Sequence, residues 1–204
     1  MRIAIIIEGR TECAFIPCLR IFLEERFKGR MPKIDPVPYD GRIPKGVYLK
    51  RLVERLLADV RKPADAVIAL TDVYTGSRPL DFNDGADARS KMREWVGENN
   101  KFFPHAAQYE FEAWLLPYWD ILQELSGGSR NAPSESPETV NHNNPPSSRI
   151  SELFKTGNKR KSYVKTRDAK RVLQKIELAK AASKCQELRD LLDTIIGLCE
   201  GDNI

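Results

Sequence analysis

The chain has 204 residues and a mass of 23.2 kDa, of which 41% are hydrophobic and 30% charged. This composition excludes a disordered chain, and the length allows one large domain or one compact domain with an extension. The longest apolar run near the N-terminus, residues 3–7, is far shorter than the roughly 18 residues of a membrane span, so we expect no membrane segment. The four cysteines match neither a CxxC pair nor a zinc ribbon, and we interpret them as reduced thiols of a cytoplasmic protein.

The charge is distributed unevenly along the chain. Residues 149–184 carry twelve Lys/Arg against three Asp/Glu, a net of +9 in a chain whose total is +4. A nearly neutral body followed by a basic segment is typical of a core unit with an extension that meets a polyanion. The alternative is a solvated helical face.

Strand and helix patterns alternate from the N-terminus. The run at 2–7 predicts a strand buried on both faces, and the next segment a helix with Thr11 as N-cap, in which Pro17 kinks the first turns or delays the start. Residues 34–39, with two prolines, predict an edge strand. The remaining patterns predict helices at 47–60, 86–96 and 112–125, the last interrupted by Pro117, and strands at 66–70 and 102–109.

This alternation predicts an α/β fold with a mostly parallel sheet flanked by helices. We assign it to residues 1–125. Residues 126–148 are rich in Ser, Asn and Pro and predict a linker or long loop. Residues 149–204 predict a basic helical extension packed on the first unit, with helices at 150–154 and 168–198.

Acidic residues follow the predicted strands. Glu8 and Asp72 come directly after two hydrophobic runs, Glu110 and Glu112 follow the strand at 102–109, and Glu12 lies one helical turn after Glu8. Ligands collect at the carboxyl ends of parallel strands, and Mg2+ prefers carboxylate oxygens. The pattern therefore predicts a Mg2+ or Mn2+ site. Glu12 and Glu112 fit equally well as first-turn acids favoured by the helix dipole.

Three short motifs carry a family resemblance: Glu-Gly-x-Thr-Glu at 8–12, Thr-Asp at 71–72, and Glu-Phe-Glu-Ala-Trp-Leu at 110–115. They resemble the Toprim-like domains of OLD-type nucleases, and more closely a bacterial Toprim-related family of about this length, often encoded beside an ABC- or SMC-like ATPase. The resemblance implies Mg2+-dependent breaking or joining of nucleic-acid phosphodiester bonds.

The resemblance also implies roles for individual residues. Glu8 matches the family's first glutamate, which serves as a metal ligand or general acid/base. Glu12 matches the second acid of the opening motif. Asp72 matches the first aspartate of an Asp-x-Asp element, which is a metal ligand. The second aspartate falls at Tyr74, which is not an ionised hard ligand near neutral pH. Either Glu110 or Glu112 replaces it, or the site holds fewer metals.

Basic residues at two places are candidates for nucleic-acid binding. Arg10 lies between the two acids of the opening motif. A second group combines clustered cations with Tyr163, as phosphate contacts and a stacked base require. The members of this basic loop are Lys159, Arg160, Lys161 and Lys165.

Two functions remain open from the sequence. The first is a Mg2+-dependent nuclease acting on nucleic acid, with DNA the expected substrate, Glu8 and Asp72 catalytic, and a role in phage defence with a partner ATPase implied by the resemblance. The second is a catalytically inactive Toprim-like adaptor for such an ATPase. A P-loop enzyme and a dinucleotide-binding enzyme are disfavoured because their glycine motifs are missing.

Overall fold

The structure, a computed structural model, describes residues 1–28, 31–39, 41–74, 80–139, 144–159 and 161–201. Strands and helices alternate in the first half: β1 (Arg2–Ile7), α1 (Arg10–Phe27), β2 (Lys33–Pro38), α2 (Val47–Leu57), β3 (Ala66–Asp72), α3 (Gly85–Val96) and β4 (Phe102–Ala107). The second half is helical: a 3-10 helix (Phe111–Tyr118), α4 (Trp119–Ser126), a 3-10 turn (Pro137–Thr139), α5 (Pro146–Thr156), a π-helical turn (Lys165–Ala169), α6 (Lys170–Leu173), α7 (Leu178–Ala182) and α8 (Gln186–Gly201).

Within these residues the strands form one parallel sheet in the order β2-β1-β3-β4. Ile3 lies opposite Ile34 on one side and Ala66 on the other. The two central strands, β1 and β3, are buried on both faces, which is why their sequences are unbroken apolar runs. The predicted α/β fold with a parallel sheet is confirmed.

Strand β2 lies at the edge of the sheet, as its two prolines predict. Proline lacks the N–H that a central strand would donate to its neighbour. Pro36 lies opposite Ile5, and among the described strands β2 pairs with β1 alone.

Successive side chains of the central strands pack into different layers. Ile5 of β1 packs with Leu19 of α1 and with Leu191 of α8 in one cluster. Ile6 packs with helices α2 and α3 on the other face, in a cluster that includes Met92. The C-terminal helices therefore share a core with α1 and the sheet.

The structure corrects the predicted start of the first helix. Helix α1 begins at Arg10 after the extended Gly9, so Thr11 is not its N-cap, and Pro17 lies inside the helix without delaying its start. The reason is that the chain enters the helix directly after β1, and Cys13 N–H donates to Gly9 O at 3.1 Å.

The helices predicted at 112–125 and 168–198 are both broken. The first divides into a 3-10 helix containing Pro117 and α4. The second divides into two short helices, α6 and α7, and the 16-residue α8. The Tyr118 hydroxyl lies at the break between α6 and α7, where it donates to Glu177 O at 2.5 Å and accepts from Ala181 N–H at 3.1 Å. No helix in the described ranges is long and apolar enough to cross a membrane.

Candidate functional site

An acidic cluster lies at the carboxyl ends of the parallel strands. Its members come from the ends of β1 and β3, the first turn of α1 and the segment after β4, and four of them are at least nine-tenths buried. They are Glu8 (9% exposed), Glu12 (8%), Glu110 (7%), Glu112 (1%) and the partly buried Asp72. We use the name acidic cluster for these five carboxylates.

Glu8 directly follows β1 and Asp72 is the last residue of the neighbouring strand β3, and hydrogen bonds hold the two residues in a fixed relation. The Thr71 hydroxyl donates a hydrogen bond to Glu8 Oε1, and the backbone N–H of Asp72 donates to the same oxygen at 3.2 Å. Thr71 is buried, at 2% exposure. The end of β3 therefore orients the carboxylate that follows β1, since two donors from adjacent residues fix its position.

The turn after β4 positions the carboxylate of Asp72. Tyr109 lies in the left-handed region, with φ of 65°, and its carbonyl accepts a hydrogen bond from Tyr74 N–H at 2.6 Å. This turn brings the backbone N–H of Phe111 to Asp72 Oδ1 at 2.9 Å. A non-glycine residue at positive φ is a strained conformation of the kind that concentrates at functional sites.

Lys165 brings the C-terminal segment to the cluster. Its ammonium nitrogen lies 3.1 Å from Glu112 Oε2 and 3.5 Å from Glu110 Oε1. Tyr163 donates to Glu112 Oε1 at 3.4 Å, and Ser147 N–H donates to Glu110 Oε2 at 2.9 Å. The Lys165 side chain is 47% exposed, whereas Glu112 is enclosed, so the lysine stem borders solvent while its charged end faces the acids.

The carboxylates raise one another's proton affinity. Burial raises the pKa of Glu8 to about 7, and the Glu12 charge adds to this, while the hydrogen bond from Thr71 opposes it. Burial also raises the pKa of Asp72 well above its usual range, and the charges of Glu8, Glu12 and Glu112 raise it further. These groups therefore face one another without enough positive charge between them.

Lys165 is the cation that the cluster holds most closely among the described residues. Burial lowers its pKa, but the charges of Glu112, Glu110 and Asp72 outweigh that effect, and the pKa lies above its usual range. The pKa of Glu112 is nevertheless raised by burial. One ammonium group does not balance five carboxylates, so further positive charge, from protons or a cation, would stabilise the cluster.

The donor set fits a hard divalent cation with few protein ligands. Among the described residues no group of three or more His, Cys, Asp or Glu side chains converges closely enough to hold a metal. Mg2+ is commonly held by only one or two carboxylates, with water and substrate phosphates as its other ligands. Glu8 and Asp72 meet that requirement. Glu110 and Glu112 fit less well because both already pair with Lys165.

The residues expected to bind nucleic acid are dispersed. Arg10 is exposed at the start of α1 and lines a groove of about 500 Å3 with Thr166 and Lys170. Lys159 donates to Glu124 O at 2.6 Å, and Lys161 is exposed to solvent. Arg160 lies outside the described residues. Lys165 lies within the acidic cluster.

Sequence reasoning missed the supporting contacts of the cluster. Thr71 belongs to a quoted motif, yet its sequence gives no sign that its hydroxyl contacts Glu8. In the sequence, Lys165 and Tyr163 stand out only as parts of a basic loop. No local pattern pairs them with Glu112, because the contact joins segments far apart in the chain.

The family model that describes a "Domain of unknown function (DUF4276)" matches residues 7–196, nearly the whole chain. The chain belongs to this family. Among solved structures, the C-terminal region of the Burkholderia pseudomallei OLD protein is similar, with a TM-score of 0.53, 14% sequence identity, and coverage of 97% of this chain and 98% of that chain. This similarity shows that the chain shares the α/β fold of that region, a parallel sheet flanked by helices. No curated protein matches the sequence.

Proposed function

We propose that this protein is a divalent-metal-dependent nuclease that hydrolyses phosphodiester bonds at the acidic cluster. The observation that supports this most directly is the pairing of Glu8 and Asp72 at neighbouring strand ends, each oriented by backbone or hydroxyl donors and together short of positive charge. The Toprim-like fold and the motif resemblance to OLD-type nucleases support the same assignment.

Mg2+ or Mn2+ held by Glu8 and Asp72 would supply positive charge to a phosphodiester whose negative charge grows during cleavage. The chain's own residues supply the surroundings. Thr71 keeps the Glu8 carboxylate directed towards β3, and Phe111 N–H does the same for Asp72. Glu12 adds negative charge beside Glu8.

Lys165 is the second element of the proposed site. Its raised pKa keeps the ammonium group protonated at neutral pH, close to both Glu112 and the Asp72 charge. There it offsets part of the negative charge of Glu110 and Glu112, which would otherwise repel a phosphate more strongly. A phosphate oxygen that approaches Asp72 would therefore meet a permanent cation on one side.

Cleavage assays with purified protein test this proposal. Wild type and Glu8→Gln are compared on supercoiled plasmid and single-stranded DNA in EDTA, Mg2+ or Mn2+. The matched control is Glu98→Gln, an exposed acid beyond the end of α3 and away from the cluster. We expect metal-dependent cleavage by wild type and the control, and its loss in Glu8→Gln. Equal cleavage by Glu8→Gln at matched metal concentration would contradict the proposal.

A second function, a catalytically inactive adaptor for an ABC- or SMC-like ATPase, is favoured by one observation: Tyr74 occupies the position where the family resemblance implies a second aspartate. It predicts that neither metal binding nor cleavage occurs, while the chain co-purifies with the ATPase. Titration of wild type with Mn2+, followed by electron paramagnetic resonance, separates the two functions, because only the nuclease requires the ion to bind at Glu8.

A further inference from the structure

A groove of about 450 Å3 lies between helix α2 and the loop that follows β2. Its polar lining is unusual in combining several cations with two tyrosines. These residues are Tyr39, Arg42, Lys45, Tyr48, Arg51 and Arg55. We call this the α2 groove. It is separate from the basic loop that the sequence singled out.

The α2 groove belongs to the most basic part of the first half of the chain. Residues 41–57 carry five Lys/Arg against one acid, a net of +4. Lys45 pairs with Asp81 at 2.6 Å. In the part of the chain that the structure describes, Arg51 and Arg55 make no ion pair or side-chain hydrogen bond. Two arginines on one helix, four residues apart, are thus available to an external anion.

Tyr48 adds an aromatic surface to these cations. It lies in the first turn of α2, one residue after Val47, and its side chain is 69% exposed. The core of this face is filled by Leu49, Leu52 and Val53, so Tyr48 is not needed for packing. In proteins that bind single strands, unpaired bases stack on exposed aromatic rings, and neighbouring cations bind the phosphates.

The α2 groove opens beside the acidic cluster. Tyr39 N–H donates to Ile7 O at 2.9 Å and Gly41 N–H donates to Glu8 O at 3.1 Å, so the loop that forms one wall is bonded to the end of β1. The positive charge of Arg42 also lowers the pKa of Glu8, against the effect of burial. A ligand in the groove would therefore extend towards Glu8.

We propose that the α2 groove binds a single-stranded segment of nucleic acid, with phosphates on Arg51 and Arg55 and an unpaired base on Tyr48, and directs the strand to the acidic cluster. This inference rests on the proposed nuclease function. A single strand is indicated because the bases of a duplex are stacked inside it and cannot reach an aromatic ring on a helix surface. The same chemistry applies to DNA and RNA.

Binding in EDTA tests the proposal without requiring catalysis. Fluorescence anisotropy is measured with labelled oligothymidylate, oligouridylate and a mixed-sequence duplex, each about 12 units long, which is within the usual site size of single-strand binders. For Arg51→Ala/Arg55→Ala we expect about a tenfold loss of affinity for the bound single strand. The slope of log affinity against log salt concentration should become shallower by about 1.4, because two phosphate contacts are lost.

Two controls make the result specific. Lys33→Ala/Lys101→Ala removes the same charge from exposed positions at the amino ends of β2 and β4, the opposite end of the sheet. It should leave binding unchanged apart from a small electrostatic effect. Tyr48→Ala should weaken binding about fivefold or more, whereas Tyr48→Phe, which keeps the ring, should bind as wild type. Comparison of the two single strands shows whether DNA or RNA is preferred.

Several results would overturn the inference. These are equal binding of duplex and single strand, equal losses in the Arg51/Arg55 and Lys33/Lys101 variants, or no binding of any oligonucleotide. If these occur while wild type still cuts with metal, the α2 groove is rejected and the nuclease proposal stands. If the groove binds as expected but wild type neither binds Mn2+ nor cuts, the nuclease proposal fails alone.

Discussion

The backbone N–H of Asp72 lies 3.2 Å from Glu8 Oε1, so the residue that carries one carboxylate of the cluster also orients the other. The same Glu8 oxygen accepts a hydrogen bond from the Thr71 hydroxyl. A change in either strand end therefore alters both carboxylates, because β1 and β3 pair directly and end side by side. The relation makes Thr71 a positioning residue whose effect is testable without touching an acid.

Thr71→Val should lower Mn2+ affinity by about tenfold or more, since partners that orient a metal ligand typically contribute 10–100-fold. The substitution keeps the shape of a buried side chain and removes only the hydroxyl. Isothermal titration with Mn2+ measures the effect, and Thr71→Ser, which retains the donor, is the control. Unchanged affinity in Thr71→Val with a correctly folded protein would show that the hydroxyl does not position Glu8.

Glu8→Gln should be more stable than wild type at pH 8 in EDTA. The pKa of Glu8 is raised from 4.5 to about 7 on folding. For such a group stability is fully present below pH 4.5 and is lost as the pH rises through about 7. The substituted glutamine side chain does not ionise against Glu12 and Asp72, so we expect a gain of about 1–3 kcal/mol at pH 8 and almost none at pH 4.5.

Urea unfolding at the two pH values measures this difference, with Glu98→Gln as the control. Addition of Mg2+ at pH 8 should stabilise wild type and have little effect on Glu8→Gln, because a ligand that binds only the folded state adds to its stability. If Glu8→Gln is less stable than wild type at both pH values, the carboxylate is stabilised by contacts that outweigh its burial.

Much of this architecture is predictable because it depends on local pattern. The unbroken apolar runs of β1 and β3 indicate central parallel strands, and the prolines of β2 indicate an edge. Once the strands are parallel, the acids after them must lie at one end of the sheet. The placement of Glu8 and Asp72 follows from the sequence for this reason.

The remaining features depend on contacts that no local pattern encodes. Lys165 reaches Glu112 only because the C-terminal helices complete one face of the sheet. The net charge of residues 149–184 alone would place this lysine on a surface that binds a polyanion. Arg51 and Arg55 lie on an ordinary amphipathic helix, where cations usually form a solvated face. Their relation to Glu8 becomes visible only when the loop after β2 is seen bonded to the end of β1.

His105 should make the protein sensitive to acid. Burial lowers its pKa from 6.5 to about 4, with the charge of Arg89 adding to this. Its Nε2 lies 3.0 Å from Thr194 Oγ1. The unfolded chain binds a proton at a higher pH than the folded one, so stability is present above pH 6.5 and is lost as the pH falls through about 4.

The cost of charging this histidine amounts to about 3 kcal/mol between pH 7 and pH 4. His105→Gln should lack that loss, since Gln does not titrate. The measurement is the difference in unfolding free energy between wild type and variant across this range, which cancels the titration of all other groups. A difference that does not change with pH would mean that the pKa of His105 is the same in the folded and the unfolded chain.

Lys165→Met should destabilise the fold because it leaves Glu112 buried beside Glu110 without a counter-charge. Removal of one partner of a fully buried pair costs about 3–5 kcal/mol, but this lysine is 47% exposed and water screens part of its charge, so we expect about 1–3 kcal/mol. The double variant Lys165→Met/Glu112→Gln should recover most of the loss, since the uncompensated charge is then gone. Urea unfolding of the two single variants and the double variant gives the coupling energy, and Lys161→Met, at an exposed position in the same segment, is the control. Additive effects in the cycle would show that Lys165 stabilises the fold through its stem rather than through the Glu112 carboxylate.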